Sequence, residues 1–101
     1  MEMSDSYLYL TKKHGRTLSP GKMSESQFWL LAEISPVHSE KVLNALRDFL
    51  VFGYTRKEAC ERHSVSPGYF SGALNRFQRI SQTVDRLIPF YLSETRSPYS
   101  G

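Results

Sequence analysis

The sequence predicts an all-α fold, a compact helical bundle of four to five helices containing a helix-turn-helix. Three observations lead there. Hydroxyl residues that can cap a helix N-terminus stand at Ser24, Thr55 and Ser66, each at the head of a helix-forming segment. Apolar residues recur at the 3.6-residue period between 28 and 88. Nowhere do strand and helix patterns alternate, and 101 residues suit one domain that buries roughly 60 to 65% of its unfolded surface.

Residues 1–22 form a basic N-terminal arm. Tyr7, Leu8, Tyr9 and Leu10 precede Lys12, Lys13, His14 and Arg16, and the segment closes on the turn dipeptide Pro20-Gly21. The apolar run fits a short strand or an arm that adds to a partner; a loosely ordered terminus is the plainer alternative. The helical domain proper is placed at residues 23–92, with residues 93–101 as a tail expected to be disordered, being polar, with Pro98 and a terminal Gly.

The first helix occupies residues 23–34. Ser24 and Gln27 have capping-box spacing, and Met23 and Phe28 stand where a hydrophobic staple forms. Phe28, Leu31 and Ile34, with Trp29 and Leu30 beside them, make a broad apolar face, and Ser35-Pro36 stops the helix. Ordinary core is the expected cover for that face, with a second protomer as the alternative for Trp29 or Leu30. The next helix begins at Pro36 or Ser39 and runs to Phe52, with Val42, Leu43, Leu46, Phe49 and Leu50 inward and Lys41, Asn44, Arg47 and Asp48 outward. Gly53 ends it.

The stretch 54–79, YTRKEACERHSVSPGYFSGALNRFQR, holds the helix-turn-helix, placed at 55–79. Thr55 and Glu58 form a capping box, so a helix starts at Arg56, with Ala59, Cys60 and His63 on its inner face. Ser64, Val65 and Ser66 break it. Ser66 then caps a second helix whose first residue is Pro67, where a missing N–H costs nothing. Phe70, Ala73, Leu74 and Phe77 form one buried stripe, opposite Ser71, Gly72, Asn75, Arg76 and Arg79. Small residues at the crossing, a buried Val in the turn and this stripe are the pattern of a helix-turn-helix that reads DNA. Apolar spacing continues through Ile80, Val84, Leu87 and Ile88 to Pro89, as one long helix or two; Phe90, Tyr91 and Leu92 are expected to fold back on the core or on a second subunit.

Charge points the same way. Net charge is +3, and residues 54–82 hold five Lys/Arg against two acids, whereas residues 23–53 hold two against four. Affinity for nucleic acid comes largely from cations that neutralise phosphate. The lone Cys60 cannot form an internal disulfide and reads as a small buried thiol, and no apolar run approaches the roughly 18 residues of a membrane span. A cytoplasmic, nucleoid-associated location without membrane contact is therefore expected.

Enzyme chemistry finds little support. His14, His38 and His63 lack Cys or carboxylate partners at metal-ligand spacing, so no metal is expected. GYFSG (residues 68–72) has two residues before its Ser where a nucleophile elbow has one. There is no phosphate-cradling glycine loop, and no cofactor is implied.

The blocks MSESQFWLLAEIS (residues 23–35), HSEKVLNALRDFLVFG (38–53), RKEACERHSVSPGYFSGALNRF (56–77) and RLIPFYL (86–92) together resemble the PapB-like regulators of fimbrial adhesin biosynthesis, with a likeness to the branch tied to S-type fimbriae. The resemblance implies a transcriptional regulator of fimbrial operons that binds double-stranded DNA, favours AT-rich sites with minor-groove contact, and assembles as a homodimer or higher homo-oligomer. It also carries a DNA-contact role to Arg56 and a site-integrity role to Cys60, within the matched residues Arg56, Lys57, Glu58, Cys60 and Glu61. Ser66-Pro67 departs from the family in the turn, which leaves base preference open. Arg56 and Lys57 also oppose the helix dipole, a conflict that bound phosphate would relieve. The expected DNA-binding set is Arg56, Lys57, Cys60, Ser66, Tyr69, Ser71, Asn75, Arg76 and Arg79. The competing reading is a helical protein-interaction module whose basic face meets an acidic partner.

Overall fold

The computed structural model describes residues 18–96, so the readings of residues 1–17 and 97–101 lie outside the described residues. Four helices follow one another: α1 (Glu25–Ile34), α2 (Glu40–Leu50), α3 (Arg56–His63) and α4 (Pro67–Arg96), with no strand among the described residues. The capping signals act as the sequence implies. Ser24 Oγ accepts the Gln27 amide at 3.1 Å, and Met23 and Phe28, the staple pair, are both buried. Ser39 caps α2 through the Val42 amide, so the helix starts at Glu40 rather than at Pro36. It ends at Leu50, short of Phe52, and Gly53 takes a left-handed φ of +82° in the turn that follows.

α2 is the central element and packs against each of the other three, most extensively against α3. The first half of α4 lies across this base. Phe49 of α2 meets Phe70 edge-on at a centroid separation of 5.7 Å, and Phe28 of α1 stacks on Phe77 at 5.2 Å. Ala45, Leu46, Leu50, Val42 and Ala59 fill the space between, all fully buried or nearly so. Residues 18–23 pack at the C-terminal end of α2: the Gly21 and Met23 amides donate to the carbonyls of Phe49 and Leu50, at 3.0 and 3.1 Å, and Gly21, at a left-handed φ of +68°, packs against Gly53, whose Cα would lie 3.3 Å from a Cβ at 21. The last stretch of the basic arm is thus part of the packed domain.

Four expectations are corrected. Asp48, assigned to the outer face of α2, is buried at 3% exposure because it meets α3. Its Oδ2 accepts from Arg62 Nε at 2.7 Å and lies 2.7 Å from His63 Nε2, and Arg62 in turn covers the Tyr54 ring at 4.3 Å. The broad face of α1 is only half covered, with Phe28 and Leu31 buried but Trp29, Leu30 and Ile34 exposed. Trp29 has polar company that explains its place: its indole N–H donates to Glu25 Oε2, the same oxygen that pairs with Arg47 at 2.9 Å, and the Arg47 guanidinium sits between Trp29 and Phe52.

The other two corrections concern the chain's end. α4 continues as one helix through Pro89 and includes the first four residues of the segment read as a tail. An interior proline removes the bond to the Asp85 carbonyl, which is tolerable here because Pro89 is exposed and water can take that carbonyl. Because the helix continues, Phe90, Tyr91 and Leu92 do not fold back on the core and are exposed in the single chain, Phe90 at 67%, which corrects the first of the two expected covers and leaves the second, another subunit, untouched.

Burial raises the Asp48 pKa, but hydrogen bonds from Arg62 and His63 and their charges outweigh it and hold the carboxyl below its ordinary range. A depressed carboxylate pKa contributes stability that is fully present at neutral pH and is lost as pH falls through the folded value, below about 4. Asp48→Asn should therefore cost about 1–3 kcal/mol at pH 7, the range for a buried partner lost to a half-exposed cation, and should flatten the acid limb of the stability profile. Urea denaturation at pH 7 and pH 3 checks this, and parallel acid limbs in the two proteins would exclude the role assigned to Asp48.

Candidate nucleic-acid interface

The site begins with the Thr55 capping box. Glu58 N donates to Thr55 Oγ1 at 3.0 Å and Thr55 N donates to Glu58 Oε1 at 2.9 Å, which starts α3 at Arg56 and leaves Arg56 and Lys57 exposed in its first turn. Three residues later than His63 the chain has already begun to turn into α4. Ser64 takes the left-handed conformation at φ 54°, Val65 inserts into the core, and Ser66 Oγ accepts the Tyr69 amide at 3.2 Å. This short turn is the reason α3 and α4 stand at a fixed angle, and Ala59 gives α4 room to cross.

With Phe70, Ala73, Leu74 and Phe77 all buried, the helix period turns Tyr69, Ser71, Gly72, Asn75, Arg76 and Arg79 to one outer arc. Tyr69, Asn75, Arg76 and Arg79 are exposed, and Ser71 and Gly72 half-buried. Arg56 joins this arc from the neighbouring helix: Nη1 donates to Ser71 Oγ at 3.3 Å, while the guanidinium lies 5.9 Å from the Phe49 ring centroid. The dipole conflict at Arg56 is thus partly answered within the fold. Its remaining N–H groups are free to reach outward from an exposed position.

Of the expected set, Arg56, Lys57, Tyr69, Asn75, Arg76 and Arg79 are exposed and Ser71 is half-buried, and the structure brings Arg56 and Ser71 into contact. Two expected residues have other duties. Ser66 uses its hydroxyl to cap α4, and Cys60 sits in the core at 6% exposure, where it can support the crossing of α3 but not touch a ligand. Burial pushes the Cys60 thiol pKa up, against the opposing influence of the Arg56 charge. Arg62, on the same helix, is tied to Asp48, a bond that raises its own pKa. Glu58 is turned back to its own cap, so the arc and the first turn of α3 carry Arg56, Lys57, Arg76 and Arg79 as their cations.

One feature was not singled out from the sequence: the Asp48 clamp sets where α3 sits, and no sequence pattern within one helix announces it. Gly72, read from the sequence on the outer face, lies there half-buried, and a Cβ built at Gly68 or Gly72 meets nothing within 4 Å, so packing does not require glycine at either position. No group of three His, Cys, Asp or Glu able to hold a metal occurs among the described residues, and no helix among them is long and apolar enough to cross a membrane.

A helical domain in which two helices joined by a short turn carry a cationic outer arc is compatible with a transcription regulator, and the chain belongs to a family of that class. It matches the PapB family, the adhesin biosynthesis transcription regulatory proteins, over residues 1–91. It is similar to the AFA-III adhesin operon regulatory protein of Escherichia coli, 70% identical over 92 residues and 91% of each chain. To the major pilus subunit operon regulatory protein PapB of Escherichia coli it is 46% identical over 78 residues, 77% of this chain and 75% of that one. Among solved structures it is similar to the crystal structure of Escherichia coli FocB, with a TM-score of 0.72 and 43% identity over 87% of this chain and 98% of that chain.

The burial of Cys60 has a direct consequence. Thiol labelling of the native protein at neutral pH should be slower than that of the urea-unfolded chain by roughly two orders of magnitude or more, following the opening equilibrium. Labelling at equal rates would place the thiol at the surface.

Proposed function

We propose that this chain is a DNA-binding transcriptional regulator of fimbrial adhesin operons that reads AT-rich double-stranded DNA with residues 55–79 and works as a homodimer or higher homo-oligomer. The observation that carries the reading is the Arg56–Ser71 contact, which joins the exposed first turn of α3 to the outer arc of α4. Phosphate contacts position such a reader and base edges specify it. In this arrangement Arg56 and Lys57 take phosphate at the α3 N-terminus, and Arg76 and Arg79 take phosphate or a base edge farther along α4. Tyr69, Ser71 and Asn75 supply the polar contacts between them. The family and its relatives support the regulatory role.

Gly72 adds a detail that a merely solvated face would not need. Glycine inside a helix costs about 0.5–1 kcal/mol relative to alanine, and here nothing within the fold requires it. A backbone that must lie close to a ligand gives a reason for it.

Titration of labelled AT-rich and GC-rich duplexes across a range of salt tests the proposal. Affinity should fall steeply with salt and favour the AT-rich duplex; no binding at low salt would end it, and would leave the basic face to an acidic protein partner. Arg56→Ala should weaken binding and reduce the salt slope by about one unit without loss of helicity. Gly72→Ala should divide stability from function: about 0.5–1 kcal/mol more stable to urea, yet roughly threefold to tenfold weaker on DNA. A more stable variant that binds as well as the parent would remove Gly72 from the contact surface.

A further inference from the structure

Leu18 is fastened to α4 and not to the helix that follows it in sequence. Its amide donates to Gln78 Oε1 at 3.2 Å, across 60 positions of chain, and its side chain packs on the edge of the core. A little farther on, the Gly21 amide donates to the Phe49 carbonyl at 3.0 Å and Gly21 lies against Gly53. Residues 18–21 therefore run from α4 to the C-terminal end of α2. Both ends of that run fall beside the candidate interface. The Arg56 guanidinium lies 5.9 Å from the centroid of the Phe49 ring, and Arg56 in turn donates to Ser71 at 3.3 Å. Ser71 and Gln78 stand two turns apart on α4, so the helix period puts them on one flank, roughly 20° apart in angle and roughly 10 Å apart along the axis. Asn75, exposed, lies between them. One strip of α4 is thus bounded by Arg56 at one end and by the backbone of Leu18 at the other.

The residues that precede Leu18 are chemically suited to the same ligand as Arg56. Lys12, Lys13 and Arg16 are cations, His14 stands among them, and no Asp or Glu occurs between positions 6 and 17. Covalent reach limits the Cα of Arg16 to within about 7 Å of the Leu18 Cα and that of Lys12 to within about 20 Å. Duplex DNA carries a negative charge about every 1.7 Å of its axis, so cations within that radius of the strip have phosphates to meet beyond those at the first turn of α3. A fixed root also removes part of the entropy that ordering the segment on DNA would otherwise cost. We propose that Gln78 is a positioning residue for DNA binding, whose side-chain carbonyl holds Leu18 so that Lys12, Lys13 and Arg16 meet phosphates flanking those taken by Arg56 and Lys57. The contact is with the sugar-phosphate backbone, and so strengthens binding to AT-rich and GC-rich duplexes alike. The inference rests on the proposed DNA-binding role and extends its interface from α3 and α4 to the N-terminal segment.

Salt titrations of the full chain on labelled AT-rich and GC-rich duplexes test it. Lys12→Ala, Lys13→Ala and Arg16→Ala together should reduce the salt slope by about two to three units and leave the ratio of the two affinities unchanged. An unchanged slope overturns the added contact while leaving the Arg56 reader intact, and a changed ratio overturns its assignment to the backbone. Gln78→Ala should keep the parent's helicity and weaken binding roughly threefold to tenfold, as the loss of one hydrogen bond implies. Combined with the triple variant, Gln78→Ala should cost less than about twofold more, because the residues it positions no longer carry charge. An undiminished loss in that background would make Gln78 a merely structural residue, and no loss in the parent would remove it from binding. Gln78→Met, of similar length without the acceptor, gives the same comparison if the alanine variant loses helicity. A parent that binds neither duplex at low salt overturns the DNA-binding reading itself.

Discussion

The fold depends on laying one helix across the other three, and two aromatic contacts seven residues apart do this. Phe70 on Phe49 and Phe77 on Phe28 hold α4 at two points, to α2 and to α1. Pairs of this kind add about 0.5–1.5 kcal/mol each beyond the area they bury. Their larger effect is directional. A helix fixed at two points seven residues apart on one face cannot roll, so the arc from Tyr69 to Arg79 is held outward and Ser71 meets Arg56.

The base beneath α4 is held by a different interaction. Asp48 is a carboxylate taken out of water to serve Arg62 and His63, an arrangement whose desolvation offsets much of its attraction. Such a group is better at choosing one geometry than at adding net stability. It couples the last turns of α2 and α3, and with the capping box at the opposite end it determines both the place and the tilt of an eight-residue helix that has little apolar surface of its own.

The parts of the structure that were legible in the sequence are those decided within a few residues. The Thr55–Glu58 box, the Ser24 and Ser66 caps and the stripe from Phe70 to Phe77 each involve neighbours on one turn or one face, and spacing reports them directly. Asp48 was not legible, because its partners lie 14 and 15 residues away on another helix. The exposure of Trp29, Leu30 and Ile34 was hidden for a related reason: hydrophobicity marks a surface that water disfavours without saying which neighbour covers it. Pro89 misled in the opposite sense, since its cost depends on whether water can reach the freed carbonyl. In the interface, the residue types of Arg56 and the α4 arc were readable, but their meeting through Ser71 was not.

The unbroken course of α4 has a mechanical consequence. One rod carries the polar outer arc at one end and exposed apolar residues at the other, with no joint between them, so the angle between the two surfaces is set by the count of intervening residues. Each residue added between Phe77 and Val84 would turn one surface against the other by about 100°, whereas seven would nearly restore the phase. The helix therefore behaves as a torsional gauge that fixes the angle between its outer arc and its exposed apolar end.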